Sequence, residues 1–143
     1  VAPNIVSQIE PRPIPLRFNA TTGITADQQL RPALILATDR ETLRKTIIGE
    51  QYSQPDVCQF GFQGVDGFNP DLQEQPYDLD QAKQIVQQLG DVGKTVTVAM
   101  SRDRFGPESV QYMQALASAW ESTGLKVNLT ITDTDSADRP IIA

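Results

Sequence analysis

Two short stretches in the second half of the chain alternate between apolar and polar residues. In 94–100 the valines and the methionine fall on one face, and in 125–131 leucine, valine and isoleucine do the same. Alternation with a period of two predicts two β-strands. Apolar residues recur at helical spacing in 107–123, and Gly124 is a typical residue just beyond a helix end. A strand, a helix and a strand in this order predict parallel strands joined by a right-handed crossover.

Three further helices are predicted before this unit. The first spans 27–37, where apolar residues again recur at helical spacing. The second begins with a capping box at Thr38 and ends at Gly49. The third begins after an aspartate cap, either Asp78 or Asp80, because a carboxylate there accepts from the first backbone N–H groups of a helix.

The rest of the chain shows weaker patterns. The range 15–20 alternates and predicts a short strand, whereas 50–78 has no periodicity and is predicted to be a long loop. Prolines in 1–13 indicate an extended arm, and 133–143 is predicted to be a tail. Because the outward faces of the two main strands are polar, the sequence predicts an α/β fold, a two-layer open sheet with helices mainly on one face. Its length of 143 residues fits a single domain, 1–143.

Composition removes several classes of chemistry. The chain has no histidine and one cysteine, Cys58, which excludes Ser-His-Asp catalysis, imidazole metal ligation and an internal disulfide. Its formal net charge of −6 disfavours nucleic acid and anionic membranes as partners. The Gly-Lys-Thr triplet at 93–95 lacks the earlier glycine of a phosphate-binding loop. The sequence therefore predicts no cofactor, no metal site and no enzyme activity.

Two arginines stand where open α/β sheets bind ligands. Arg102, Asp103 and Arg104 follow the first of the two main strands and precede the helix between them. Ligands collect at the carboxyl ends of parallel strands, helix N-termini attract anions, and a guanidinium pairs with a carboxylate. The alternative is a solvated charged loop in which Asp103 pairs with a neighbour. Trp120, at helical spacing with apolar residues, is predicted to lie in the core.

Three stretches, in this order and spacing, resemble signatures of the extracellular solute-binding proteins of ABC importers, family 5, the peptide- and nickel-binding type. They are FNATTGITADQQLRPALILATDRETLRKTIIG at 18–49, FNPDLQEQPYDLDQAKQIVQQLG at 68–90, and the tryptophan, glycine and aliphatic pattern of 120–129. The resemblance covers nearly the whole chain, from about Pro13 to Thr132.

The resemblance implies part of the second lobe of a larger, two-lobed protein with the type II periplasmic-binding-protein fold, whose first lobe is missing from this chain. Such a protein captures a small solute, with oligopeptides as the expected ligands, and delivers it to an ABC permease. It is expected outside the cytoplasm, as a periplasmic or cell-surface lipoprotein, and without catalytic activity. The alternative function is that of a transport-inactive relative that regulates cell-envelope lipoglycan assembly.

The resemblance also implies which residues bind the ligand. In peptide-binding relatives, an arginine in the loop after the first strand pairs with the carboxylate of the ligand. The usual spacing back from Trp120 lands on Asp103, between Arg102 and Arg104. These three residues are therefore the predicted ligand-binding residues.

Overall fold

The computed structural model describes residues 16–53, 59, 66–72, 74–101 and 108–132. In chain order their helices and strands are α1 (Leu30–Leu36), α2 (Arg40–Leu43), α3 (Leu79–Gln88), β1 (Thr95–Ser101), α4 (Glu108–Glu121) and β2 (Lys126–Thr132). α2 continues into a π-helical turn at Arg44–Ile48. Two 3-10 helices complete the set, one at Ile24–Ala26 and one at Glu50–Tyr52. The predicted arm, the predicted tail and most of the predicted loop lie outside the described residues.

β1 and β2 form a parallel sheet, as the alternating pattern predicts. The register runs from Thr95 opposite Lys126 to Ser101 opposite Thr132. α4 connects the two strands and packs against β2. This strand–helix–strand unit, with the remaining helices packed beside it, confirms the predicted α/β class with an open sheet.

The core lies between the helices and the apolar face of the sheet. α1 packs against α3, and α4 brings a large aromatic ring to the same place. Its buried apolar side chains are Leu30, Ala33, Leu34, Leu36, Ala37, Ala82, Val86, Val96, Val98, Met100, Met113, Leu116, Trp120 and Leu125. Trp120 is 2% exposed, which confirms its predicted core position. Burying a large apolar side chain in this way contributes about 2 kcal/mol.

Capping side chains set where the helices begin, and one cap differs from the prediction. Asp78 caps α3 as predicted: its Oδ1 accepts from a backbone N–H of the first turn at 2.9 Å. The cap of α2 is Asp39, whose Oδ1 accepts from the backbone N–H of Thr42 at 3.0 Å. The prediction of Thr38 as this cap is wrong. Its buried hydroxyl donates to the Leu34 carbonyl at 2.8 Å, so it closes the end of α1 instead.

The strand predicted at 15–20 is wrong for the part that the structure describes, because residues 16–20 form no strand. Phe18 stacks on Trp120 with ring centroids 6.3 Å apart. The Asn19 Oδ1 accepts from the backbone N–H groups two and three residues later, at 2.9 and 3.2 Å. An asparagine side chain that binds the following backbone favours a turn over a strand. Of the apolar residues described in this stretch, Phe18 therefore packs against the core and Leu16 is exposed.

Candidate functional site

The carboxyl edge of the sheet is where the sequence predicts a ligand. β1 ends at Ser101, and β2 ends directly opposite at Thr132. α4 begins at Glu108 and connects back to the start of β2. Because the helix runs antiparallel to the strands it joins, its N-terminus lies on the same side as both strand ends. One edge of the fold therefore collects two strand ends and a helix N-terminus.

Two hydroxyls at this edge differ in their hydrogen bonds. The Thr132 hydroxyl donates to the Met100 carbonyl at 3.3 Å, across the strand pair. Ser101 is 2% exposed, and its Oγ has no hydrogen-bond partner among the residues that the structure describes. A buried hydroxyl without a partner costs about 1–3 kcal/mol. The two strand ends at this edge therefore differ, because the Thr132 hydroxyl is bonded within the sheet and the Ser101 hydroxyl is bonded to none of the described residues.

The predicted ligand-binding residues Arg102, Asp103 and Arg104 lie outside the described residues. The structure places the two residues that flank their segment, Ser101 and Glu108, at the carboxyl edge. Their role in binding stays a prediction.

A second region, which we call the helical junction, is formed by residues 19–44, 74–79 and Trp120. Most of the signature residues behind the family resemblance lie here. Arg31 is one of them: its Nε donates to the Thr25 carbonyl at 2.9 Å, and its Nη2 donates to the Ala26 carbonyl at 3.1 Å. The Thr25 hydroxyl in turn donates to the Asn19 carbonyl at 2.8 Å. Arg31 therefore holds the turn before α1 in place.

Arg40 holds the segment before α3 against α2. Its Nη2 donates to the Gln75 carbonyl at 2.7 Å and lies 2.9 Å from the Glu74 carboxylate. Three residues after Gln75, the backbone N–H of Asp78 donates to the Leu36 carbonyl at 2.9 Å. These contacts join parts of the chain about 40 residues apart and fix the angle at which α3 enters the core.

One helical turn later, the buried Arg44 forms a two-pronged ion pair with the exposed Glu41. Its Nε and Nη2 donate to the two carboxylate oxygens of Glu41 at 2.9 and 2.8 Å. Its Nη1 donates to the carbonyl and hydroxyl oxygens of Ser53, both at 3.1 Å. Hydrogen bonds from Arg44, and then from Lys45, lower the pKa of Glu41 from 4.5 to about 2. This carboxylate therefore stays ionised in all but strong acid.

Trp120 connects α4 to the end of α1. Its indole N–H lies 3.0 Å from both the Leu34 carbonyl and the Thr38 hydroxyl. Because Thr38 donates to that same carbonyl, the three groups form one buried network. The hydrogen bonds of a buried tryptophan N–H fix how the ring is oriented, in addition to the apolar packing of the ring.

The sequence did not reveal what these arginines bind. Arg31 and Arg40 stand inside the quoted signature, but both bind backbone carbonyls, which no residue type identifies, and Arg40 also pairs with Glu74. The partner of Arg40 is also 35 residues away along the chain. The spacing of Arg44 from Glu41 was a readable signal, because residues three apart are neighbours on a helix.

Two small cavities adjoin the helical junction, in the part of the chain that the structure describes. They have volumes of about 100 and 340 Å³ and share Asp39 and Tyr77 in their walls. The smaller is lined mostly by apolar side chains, among them Leu43 and Leu79. Neither has a wall residue from β1 or β2, so neither reaches the carboxyl edge.

Two further features were sought in the described ranges. No group of three or more acidic or cysteine side chains there is placed to hold a metal ion. None of the described helices combines the length and apolar character needed to cross a membrane.

Sequence comparison finds one family for nearly the whole chain. The family described as bacterial extracellular solute-binding proteins, family 5 Middle, matches residues 2–140. No curated protein matched the sequence.

The fold is similar to several solved structures. It superimposes on the ABC transporter substrate binding protein CtaP from Listeria monocytogenes with a TM-score of 0.73 at 21% identity, over 85% of this chain and 25% of that one. For the periplasmic binding protein DppA from Helicobacter pylori, in complex with the peptide STSA, the TM-score is 0.68 at 21% identity, over 81% of this chain and 22% of that one. For NikA from Brucella suis, in complex with Fe(III)-EDTA, the TM-score is 0.67 at 17% identity, over 84% of this chain and 26% of that one. The chain therefore spans about a quarter of the length of these structures, and the likeness at these identities concerns the fold.

Proposed function

Because this chain belongs to the family 5 bacterial extracellular solute-binding proteins, we propose that it is part of the second lobe of a longer, two-lobed protein that captures a small solute. The family match over 2–140 is the observation that carries the proposal. Oligopeptides are the expected ligands. In its support, DppA was solved with a peptide and NikA with a metal chelate, so this fold accommodates solutes of both classes.

The ligand site of this proposal is the carboxyl edge of the sheet. Arg102 or Arg104 pairs through two guanidinium N–H groups with the two carboxylate oxygens of the peptide, and Asp103 balances the charge of the other arginine. The N-terminus of α4 adds a positive dipole on the same side. A two-pronged arginine–carboxylate pair in a closed cleft is stronger than an exposed ion pair, because less water competes for it.

Transport follows from closure of the two lobes around the solute. Such closure is a hinge movement, and the affinity comes from contacts on both sides of the cleft. The 143-residue chain alone is therefore expected to bind peptides weakly or not at all. The longer protein acts outside the cytoplasm, anchored to the membrane, and passes its solute to an ABC permease without chemical change.

The test is native mass spectrometry of the longer protein, purified without refolding. A co-purified series of peptide masses would support solute capture and set the ligand length. An empty protein that also shows no thermal shift with peptides, sugars or nickel would contradict it. That outcome would favour the alternative function, regulation of cell-envelope lipoglycan assembly by a relative that no longer transports.

A further inference from the structure

Residues 41–53 differ from the rest of the described chain in what fills their interior. No described apolar side chain of this range belongs to the core or packs against it, and Leu43, Ile47 and Ile48 are half-buried. Among the side chains of this range whose burial the structure describes, only that of Arg44 is buried, at 7% exposed. A guanidinium therefore takes the central place that apolar side chains take in the core.

The hydrogen bonds that the structure describes for this guanidinium all end within the same range. Two of them form the fork onto Glu41, and two reach the carbonyl and hydroxyl oxygens of Ser53. The Ser53 hydroxyl donates to the Gly49 carbonyl at 2.8 Å, and the Gly49 N–H donates to the Arg44 carbonyl at 3.0 Å. Both ends of the range are thus bonded to Arg44.

The backbone of this range has little stability of its own. It consists of the last residues of α2, the π-helical turn Arg44–Ile48 and the 3-10 helix Glu50–Tyr52, with Gly49 between them at a φ of 95°. Helices this short are marginal unless tertiary packing supports them, and π-helical turns are rare and often lie at functional sites. The support here is the set of hydrogen bonds to Arg44.

A cavity separates part of this range from the core. The smaller cavity, of about 100 Å³, is lined by Thr42 and Leu43 from this range and by Ala37, Leu79 and Ala119 from the end of α1, from α3 and from α4. Atoms that line a void lose attractive contacts on one side. The π-helical turn does lie close to α4, but without a described side chain packed against the core. The boundary is therefore loosely packed.

We infer that residues 41–53 form a latch, held closed by Arg44, which opens as a unit while the core stays folded. Opening breaks hydrogen bonds that water can replace, and it takes no core side chain out of the core. Segments with few buried apolar contacts open at a lower free energy than the core. The open latch removes Thr42 and Leu43 from the cavity wall and uncovers the apolar side chains of Leu79 and Ala119.

Hydrogen exchange resolved to single amides, measured on the longer protein without solute, tests the inference. Leu43 and Gly49 report on the latch, and Ala37 and Leu89 report on the core, at the ends of α1 and α3. All four amides donate to backbone carbonyls at 2.9–3.0 Å, so bond length does not distinguish them. After correction for intrinsic rates, the two latch amides should exchange at least about 100-fold faster than the two core amides. Equal rates would overturn the inference.

A pair of variants tests the role of Arg44. Ser53→Ala removes a hydroxyl that accepts from Arg44, and it should speed exchange at Leu43 and Gly49 about tenfold without changing the two core amides. The matched control is Thr46→Ala, whose exposed hydroxyl donates to a carbonyl of the same turn at 2.7 Å, and a change below about threefold is expected.

Three outcomes of the variants would contradict the inference. If Ser53→Ala speeds latch and core amides equally, residues 41–53 open only together with the core. If it changes neither, or no more than Thr46→Ala does, Arg44 does not hold the latch closed. Because no solute is present, a longer protein that binds no peptide would defeat the proposed function without affecting these results.

Discussion

The helical junction and the carboxyl edge of the sheet use polar side chains in opposite ways. In the junction, Arg31 and Arg40 donate to backbone carbonyls at 2.7–3.1 Å, and the Trp120 indole lies between two acceptors. At the edge, the Ser101 hydroxyl has no partner among the described residues. Three residues of the quoted signatures, Arg31, Arg40 and Trp120, therefore bind other parts of the same chain. The helical junction therefore holds the shape of the chain, whereas the carboxyl edge is the proposed ligand site.

This contrast predicts two separate classes of variant. Changes in the junction should lower the free energy of unfolding, because they leave buried carbonyls and hydroxyls without partners. Changes at the carboxyl edge should alter solute binding and leave stability almost unchanged.

The largest effect is expected from Trp120, at the centre of the junction. Trp120→Ala removes a buried aromatic ring, its stacking on Phe18 and two hydrogen bonds, and should cost about 3–5 kcal/mol in urea unfolding. Trp120→Phe keeps most of the ring and loses the N–H, so about 1–2 kcal/mol is expected. Tyr77→Ala, at a half-exposed ring, is the control and should change stability by less than about 1 kcal/mol. A loss below about 1 kcal/mol for Trp120→Ala would show that the junction does not depend on this ring.

Arg40 should come next. Arg40→Ala removes the contacts to Gln75 and Glu74 and should cost about 1–2 kcal/mol, measured by chemical denaturation. The matched control is Lys83→Ala, whose partner Asp80 lies 3.9 Å away on an exposed helix face, and a change below about 0.5 kcal/mol is expected. Equal losses for the two variants would mean that the Arg40 contacts add no more than a surface ion pair.

The cap of α3 should have a smaller effect. Asp78→Ala removes the acceptor for the first-turn N–H and should cost about 1 kcal/mol. Asp80→Ala keeps that bond and loses a carboxylate near the helix dipole, so about 0.3–0.5 kcal/mol is expected. Thermal unfolding of both variants orders the two effects, and a reversed order would contradict the assignment of the cap.

The Glu41 carboxylate adds a dependence on pH. Its pKa is about 2 in the folded protein, below the ordinary 4.5, because Arg44 and then Lys45 donate to it. The folded state therefore binds this proton less readily, and the contribution to stability is complete above about pH 4.5 and is lost as the pH falls towards 2. Unfolding of the protein and of Glu41→Gln across this range should show a steeper loss for the protein itself. If stability falls with pH equally steeply in the protein and in Glu41→Gln, the stabilising ion pair between Glu41 and Arg44 is contradicted.

Much of the fold follows from local patterns in the sequence. The two strands, the helix between them, and Gly49 and Gly124 at helix ends are all where alternation, helical spacing and glycine predict them. These patterns depend on neighbouring residues, which is why a single sequence reveals them.

The parts that sequence analysis missed depend on contacts between distant residues. Thr38 fits a capping box by residue type, but Trp120, 82 residues later, approaches its hydroxyl, and Asp39 caps the helix instead. The alternation around Phe18 predicted a strand, but Phe18 packs on Trp120 and the Asn19 side chain binds the backbone of a turn instead. At the candidate site, the position of Arg102 and Arg104 between a strand and a helix was readable, whereas the unpaired hydroxyl of Ser101 depends on three-dimensional surroundings.

The most direct test of the account is calorimetric titration of the longer protein with a peptide, comparing it with the double variant Arg102→Ala/Arg104→Ala. We expect the double variant to bind at least about tenfold more weakly with an unchanged melting temperature, as for loss of a charge-assisted contact. Lys126→Ala, at the opposite end of the sheet, should bind like the unaltered protein. Undiminished binding by the double variant, with weaker binding by Arg40→Ala at unchanged stability, would contradict the division between a shape-holding junction and a ligand-binding edge.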